Sequence, residues 1–412
     1  MQRVIKNIFL KNFFNLSLTQ LFNIFFTLII TPILFQRLGD EQFGIINLYF
    51  TIVMLLVVFV NYGYNLNGPK RIAVDSDKTS FQKLINEVIS VRIIIGLIIF
   101  SLSLIISFVL KLNQSSQLIL SFSLIIILSE SINPIFYFQG KDNLKGVTFS
   151  NFLFKISYLT LILFFVKNSN QAYLVNFFYG ISSLFINIFF WIYIFRIEKL
   201  DWLWINSINF FKRINENIHF TLSSLAGYLS VSSSLIIISF FVDNKELGQF
   251  SIAQKIGLLI RMLPVFITQS VLQIASRKNN DNLEEFNNYI SRVNKIGLFA
   301  SFLLALILCF FSKWIIYVLA GKFIVYSQLI LCILAFVPFL SMLNFKNMVI
   351  FLVNERKRSL NLSTWIVALF MIFSGSSMSY LYGGYGMAFS LLLSELLNYF
   401  LCSWLILKTH RK

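Results

Sequence analysis

Charge is what this 412-residue sequence has least of. Asp, Glu, Lys and Arg together make up 12%, about half the share in an ordinary soluble domain. A disordered chain needs many charges and low hydrophobicity, so that class is excluded. Histidine occurs twice and cysteine three times. His219 and His410 form no ligand cluster, and Cys309, Cys332 and Cys402 lack metal-type spacing. No metal centre is expected, and the cysteines read as small apolar side chains. The five prolines include Pro32, Pro134, Pro264 and Pro338, which lie within or at the ends of apolar runs and kink helices there. No polar segment exceeds about 25 residues, which excludes a separate soluble catalytic domain.

Apolar residues, by contrast, make up 57%, and mean hydropathy is +0.78. A water-soluble chain of this size has nowhere to bury so much hydrocarbon. The expected class is an all-α integral membrane protein. A membrane helix needs about 20 apolar residues. About twelve stretches qualify: 13–35, 45–68, 93–110, 118–138, 147–166, 172–195, 221–242, 252–275, 296–319, 329–352, 362–381 and 387–407. They are too long and unbroken for barrel strands. The N-terminus, with Arg3, Lys6 and Lys11 leading into a full span and no small-residue cleavage site, is not expected to be a cleaved signal peptide.

Lys and Arg number 34 against 17 Asp and Glu, a net charge of +17. In a soluble protein that excess points to nucleic acid. Here 24 of the bases fall on one set of connecting segments, 5 on the other set (Arg37, Lys111, Lys167, Lys245 and Lys322) and 5 within spans. Such a bias places the base-rich segments and both termini in the cytoplasm. Nucleic acid is therefore not an expected partner.

The segment 196–220 mixes Trp, Phe and Ile with charges. It reads as an interfacial amphipathic helix or as a partly ordered linker, between an N-terminal six-helix lobe over 1–195 and a C-terminal one over 221–412. A small internal near-repeat agrees with two halves: Gln42-Phe43-Gly44-Ile45 returns as Gln249-Phe250-Ser251-Ile252.

Polar residues inside spans turn toward protein or water. The first span carries Asn15, Thr19, Asn23, Thr27 and Thr31, and the second Asn47, Asn61 and Asn65. The seventh is rich in serine, and the eighth has Gln254 and Gln273. These helices read as the walls of a central cavity, with Asn23, Thr27, Asn61, Asn65 and Gln254 lining it. The plainer alternative is that such residues glue helices together.

Charges within spans are costlier, at about 2.5–3.5 kcal/mol each near a helix centre. The bases are Lys155, Lys255, Arg261, Lys346 and Lys313: Arg261, Lys155 and Lys346 are deep, Lys313 can snorkel, and Lys255 is close enough to its outer end to snorkel as well. Arg261, three residues before Pro264, is the foremost candidate. Lys70 and Arg71, beside the second span, join this cationic set. Glu130 and Glu395 are the deep acids. Ion pairing would explain any of these residues. An excess of bases in a wet cavity suits an anionic cargo such as a phosphate or pyrophosphate.

The run Arg37-Leu38-Gly39-Asp40-Glu41-Gln42-Phe43-Gly44-Ile45, followed by Asn61-Tyr62-Gly63-Tyr64-Asn65-Leu66-Asn67-Gly68 and Lys70-Arg71-Ile72-Ala73, resembles the N-terminal half of Wzx-type O-antigen flippases. Leu247-Gly248-Gln249-Phe250-Ser251-Ile252-Ala253-Gln254-Lys255-Ile256 resembles their seventh-to-eighth span junction. That family lies in the multidrug/oligosaccharidyl-lipid/polysaccharide (MOP) exporter superfamily.

The resemblance implies two six-helix lobes around a central cavity, in a bacterial inner-membrane protein. It also implies passage of an undecaprenyl-pyrophosphate-linked oligosaccharide from the cytoplasmic to the periplasmic leaflet by alternating access, with no bond broken. Implied partners are that lipid-linked cargo, membrane lipids and other polysaccharide-assembly proteins, with the chain acting as a monomer. No bound cofactor is implied. H+ or Na+ coupling stays open, with Glu130 and Glu395 as the carboxylates for it, because no acid lies in the first helix. A multidrug exporter of the same superfamily would favour an acidic cavity. A membrane-embedded polymerase or glycosyltransferase would favour a large outer loop or acidic outer-loop motifs.

Overall fold

The computed structural model describes residues 2–74, 78–204 and 207–410, with side chains described from residue 20 onward apart from 21, 78, 207–209, 211, 273, 280 and 409–410. The side chains of Asn15, Thr19 and Gln273 therefore lie outside the described residues. Among the described residues every regular element is a helix. The first half comprises α1 (Gln2–Asn61), α2 (Tyr64–Val74), α3 (Lys78–Val109), α4 (Gln114–Ser123), α5 (Ile125–Ser131), α6 (Ile135–Gly140), α7 (Leu144–Phe165) and α8 (Tyr173–Glu198). The second comprises α9 (Ser207–Ser232), α10 (Ser234–Ile238), α11 (Asn244–Asp281), α12 (Leu283–Ala320), α13 (Val325–Leu334), α14 (Val337–Leu343), α15 (Phe345–Val353) and α16 (Lys357–His410).

The polar residues between apolar runs start and stop these helices. Asn113, Asn143, Asp243 and Asn282 sit at N-caps, where each side chain accepts from a backbone N–H of the first turn. That satisfies donors the helix itself leaves free. Arg37 does the converse for α7, donating to the carbonyls of Ile162, Leu163 and Val166 at 3.3, 3.3 and 2.7 Å. Helix α1 is kinked at Gly39 (φ 75°) and α16 at Gly383 (φ 55°), both left-handed conformations that glycine enters without a Cβ clash.

Among the described residues, nine helical stretches are long and apolar enough to cross a membrane. Two of them, Phe22–Val74 and Lys357–Lys408, each cover two of the runs expected from sequence. The expected run 221–242 is divided between α9 and α10, with a break at Ser233, and is not among the nine. Large apolar side chains are bare on the outside, with Phe310 78% and Phe299 71% exposed. In water that surface would aggregate. The chain is an all-α, multi-pass membrane protein, and lipid is the solvent for those side chains.

Two compact units divide the chain: residues 1–38 with 45–225, and 39–44 with 226–412. The segment 196–220 lies within unit 1. Its end is not separate from the next run, since α9 continues without interruption from Ser207 to Ser232. Unit 1 has a core built on Tyr64, Ile85, Val88, Phe136, Phe138 and Trp191. Unit 2 has one built on Val271, Phe286, Ile290, Met342 and Phe345, beside a smaller cluster around Phe351 and Cys402. Within unit 2, a Cβ at Gly248 would lie 1.8 Å from the Asp40 carbonyl oxygen, so only glycine fits that backbone approach.

Candidate functional site

In unit 1, α1 and α7 bring together two residues expected from sequence. Lys155 Nζ donates to Asn23 Oδ1 at 2.5 Å. The ammonium also lies over the rings of Phe22 and Phe26, 5.9 and 4.9 Å from their centroids. Ring faces attract a cation without neutralising it. Thr27, one turn beyond Asn23, turns its hydroxyl back to the Asn23 carbonyl at 2.8 Å. No carboxylate pairs with Lys155 among the described residues.

Asn61 meets a cation as well. Its Oδ1 accepts from Arg92 Nη2 at 2.6 Å. Arg92 is 1% exposed and donates as well to the carbonyls of Asn133, at 2.9 Å, and Glu130. The Glu130 carboxylate instead accepts from Asn133 Nδ2 at 3.1 Å. Arg92 is thus a buried guanidinium held by neutral oxygens. By sequence alone it falls on a connecting segment, and sequence reasoning missed it.

Glu87 was also missed. This buried carboxylate of α3 takes Arg71 from α2 at 2.7 Å and Arg213 from α9 at 2.9 Å, and the Tyr64 hydroxyl donates to it at 3.3 Å. Arg71 is therefore paired, whereas Lys70 and Asn65 are exposed. A signal for both missed residues was present in the sequence. Phe81, Leu84, Ile85, Val88 and Ile89 are buried at helical spacing on α3. The same stripe, extended, reaches Arg92, and Glu87 sits beside it.

In unit 2, Arg261 of α11 faces Glu395 of α16, with Nη2 2.5 Å from Oε1 and side-chain exposures of 18% and 5%. The two deep charges therefore balance each other. One α-helical turn and a half earlier, half-buried Lys255 lies over the Phe43 ring, 4.9 Å from its centroid, and no carboxylate pairs with it among the described residues. Gln254 is buried and donates to the Ser234 hydroxyl at 2.5 Å. Lys346 is half-buried on α15. Among the described residues no cluster of three His, Cys, Asp or Glu is placed to hold a metal ion.

The units thus offer two kinds of cation. Arg71, Arg213 and Arg261 are tied to carboxylates. Lys155, Lys255 and Arg92 are held by neutral groups or ring faces. Only a cation of the second kind keeps its full attraction for an arriving anion.

Comparison with known proteins agrees with the resemblance read from residues 37–73 and 247–256. Residues 9–273 match the family described as polysaccharide biosynthesis protein. A protein of Escherichia coli described as an O-antigen transporter is 26% identical over 265 residues, 63% of either chain. One from Shigella dysenteriae with the same description is 26% identical over 270 residues, 65% of this chain and 67% of that one. The chain therefore spans less than two thirds of the length of the first of these relatives.

Among solved structures, the lipid II flippase MurJ in an inward closed conformation superposes with a TM-score of 0.71 at 16% identity, over 95% of this chain and 87% of that one. An inward-facing multidrug resistance MATE family transporter of the MOP superfamily superposes with a TM-score of 0.70 at 14% identity, over 91% and 92%. At such identities these two establish a shared fold.

Proposed function

Because the chain belongs to the polysaccharide biosynthesis protein family, we propose that it is a flippase for a lipid-linked oligosaccharide. The cargo in this reading is an undecaprenyl-pyrophosphate-linked O-antigen or similar repeat unit. It passes from the cytoplasmic to the periplasmic leaflet of a bacterial inner membrane by alternating access, with both termini of the protein in the cytoplasm. The observation that carries the reading is the family match over residues 9–273, supported by the likeness to proteins described as O-antigen transporters.

The charge arrangement supports it chemically. A pyrophosphate needs cations that are not already neutralised. Lys155 is such a cation in unit 1, and this reading assigns it to the anionic headgroup, with Asn23 beside it as a partner for phosphate or sugar hydroxyls. Lys255 is the corresponding base of unit 2. Arg261, balanced by Glu395, serves to hold α11 against α16 rather than to bind cargo. The protein breaks no bond, so it acts as a transporter and not as an enzyme. Inward movement of H+ or Na+ would drive the cycle, one charge across 100 mV supplying about 2.3 kcal/mol. Glu130, whose carboxylate no base pairs with among the described residues, is the group for that step.

The deciding experiment is deletion with complementation in a host that builds surface glycan. The expected result is loss of full-length surface glycan, a rise of lipid-linked repeat units in the cytoplasmic leaflet, and restoration by the gene in trans. Full-length glycan in the deletion strain overturns the reading. Drug resistance on overexpression with no glycan phenotype points instead to a multidrug exporter.

A further inference from the structure

Unit 1 carries an apolar groove of about 510 Å³ between α3, α8 and the chain that follows α8. One wall is the α8 face running from Ile188 through Ile192 and Phe195 to Arg196. These positions share a side at 3.6 residues per turn and extend about 12 Å. Ile89 and Ile93 of α3 form the other wall. Ile192 is 50% exposed, so this is not a packed core but a channel open at its side, on helices that span the membrane.

At one end the chemistry changes. Helix α8 stops at Glu198, Lys199 takes a left-handed conformation (φ 51°), and the chain doubles back. Gln82 and Asn86 of α3 donate to the Asp201 carbonyl at 3.2 and 2.8 Å, which fixes the returning segment. Trp202 is thereby set at the groove mouth, its ring 6.0 Å from that of Phe195 and 5.1 Å from that of Trp204. The hydrocarbon stem of Arg196 lines the groove beside Phe195, and its guanidinium lies outside the apolar lining. It is exposed and makes no ion pair among the described residues. Tryptophan and arginine at the end of an apolar span mark the level of the lipid headgroups.

We propose that this groove binds one anionic phospholipid, with a hydrocarbon chain along Ile192, Phe195 and Ile89 and the phosphate on Arg196. The apolar walls accept only hydrocarbon, the lone unpaired cation stands where an ester phosphate emerges, and the indole of Trp202 sits at the interface between them. None of the residues assigned to the cargo lines the groove, so the site stands apart from the transport reading and does not depend on it.

The test uses the full-length chain reconstituted in vesicles of equal parts phosphatidylglycerol and phosphatidylcholine. The protein is then extracted into mild detergent, and retained lipid is counted by native mass spectrometry. One phosphatidylglycerol per chain is expected to survive, in preference to phosphatidylcholine. Arg196→Gln lowers that retention about fivefold, the effect of one base beside an anionic surface, and Arg196→Lys keeps most of it. Ile192→Trp, which fills the groove, removes it. Should that variant not fold, the exposed Arg196 series carries the test alone. Equal retention of the two lipids overturns the proposal, as does unchanged phosphatidylglycerol in Arg196→Gln. Undecaprenyl phosphate, added as a competitor, is expected not to displace the bound lipid; if it does so at equal concentration, the groove belongs to an isoprenoid cargo and the proposal fails.

Discussion

The two units hold their deep cations in opposite ways. In unit 2, Arg261 is set against the carboxylate of Glu395, so the pair is neutral and its value lies in joining α11 to α16. In unit 1, Lys155 meets an amide oxygen and two aromatic rings, and Arg92 meets an amide oxygen and two backbone carbonyls. Neither cation is in an ion pair with a carboxylate among the described residues. The contrast shows that depth in the membrane alone does not make a base a ligand site. What matters is whether its partner is charged, because a buried pair resists separation while a cation on neutral partners can accept an anion.

The largest effect is expected where that pairing is removed. Arg261→Ala leaves the Glu395 carboxylate buried without a counter-charge and costs about 3–5 kcal/mol, read as a lower unfolding temperature in detergent. Adding Glu395→Gln restores most of it; equal stability of the single and double variants would break the comparison. Arg92→Met comes next. It strips a donor from Asn61 and from two carbonyls, and an unsatisfied buried acceptor costs about 1–3 kcal/mol. Glu130→Gln recovers only part of this loss, because the guanidinium's hydrogen bonds go to neutral oxygens while the Glu130 carboxylate attracts it without a direct ion pair. The smallest change in stability follows Lys155→Gln, at under about 1 kcal/mol, since that substitution removes one hydrogen bond and the attraction of the ammonium to ring faces. On the proposed flippase reading, surface glycan is expected to fall sharply while the amount of protein in the membrane stays level. If both fall together, Lys155 is structural.

Much of the fold was legible because hydrophobic runs of membrane length survive any tertiary context. The runs 147–166 and 172–195 lie on α7 and α8 within a few residues, and the breaks at Gly39 and Gly383 fall in the short connections read as outer loops. Sequence reading failed where burial is not proportional to hydropathy. α3 begins at Lys78, well before the apolar run at 93, and its first turns are buried by an amphipathic stripe. A window average reports those turns as polar, so Glu87 and Arg92 passed as loop residues. The serine-rich 221–242 run departs differently: read as one span, it is two helices, α9 ending at Ser232 and α10 starting at Ser234. Many of those hydroxyls bond back to the preceding turn, as Ser224 and Ser230 do. The pairing of Arg261 with Glu395, 134 positions apart in the chain, left no local trace, and only the ion-pair alternative held its place. For the lysines, the sequence gives a depth but not a partner, and the partner is what separates Lys155 from Arg261.

The guanidinium of Arg92 has a consequence for how the chain is made. Helix α5 ends at Ser131, inside the apolar stretch Gln114–Gly140, and an interrupted helix in hydrocarbon leaves carbonyls that no lipid can satisfy. Arg92 donates to two of the carbonyls there, those of Asn133 and Glu130, the second of which also accepts from the Asn133 N–H. Synthesis proceeds from the N-terminus, so residue 92 leaves the ribosome before residues 130 and 133 do. The donor is thus made before its acceptors, and every partner in this cap is in the chain once residue 133 has been translated.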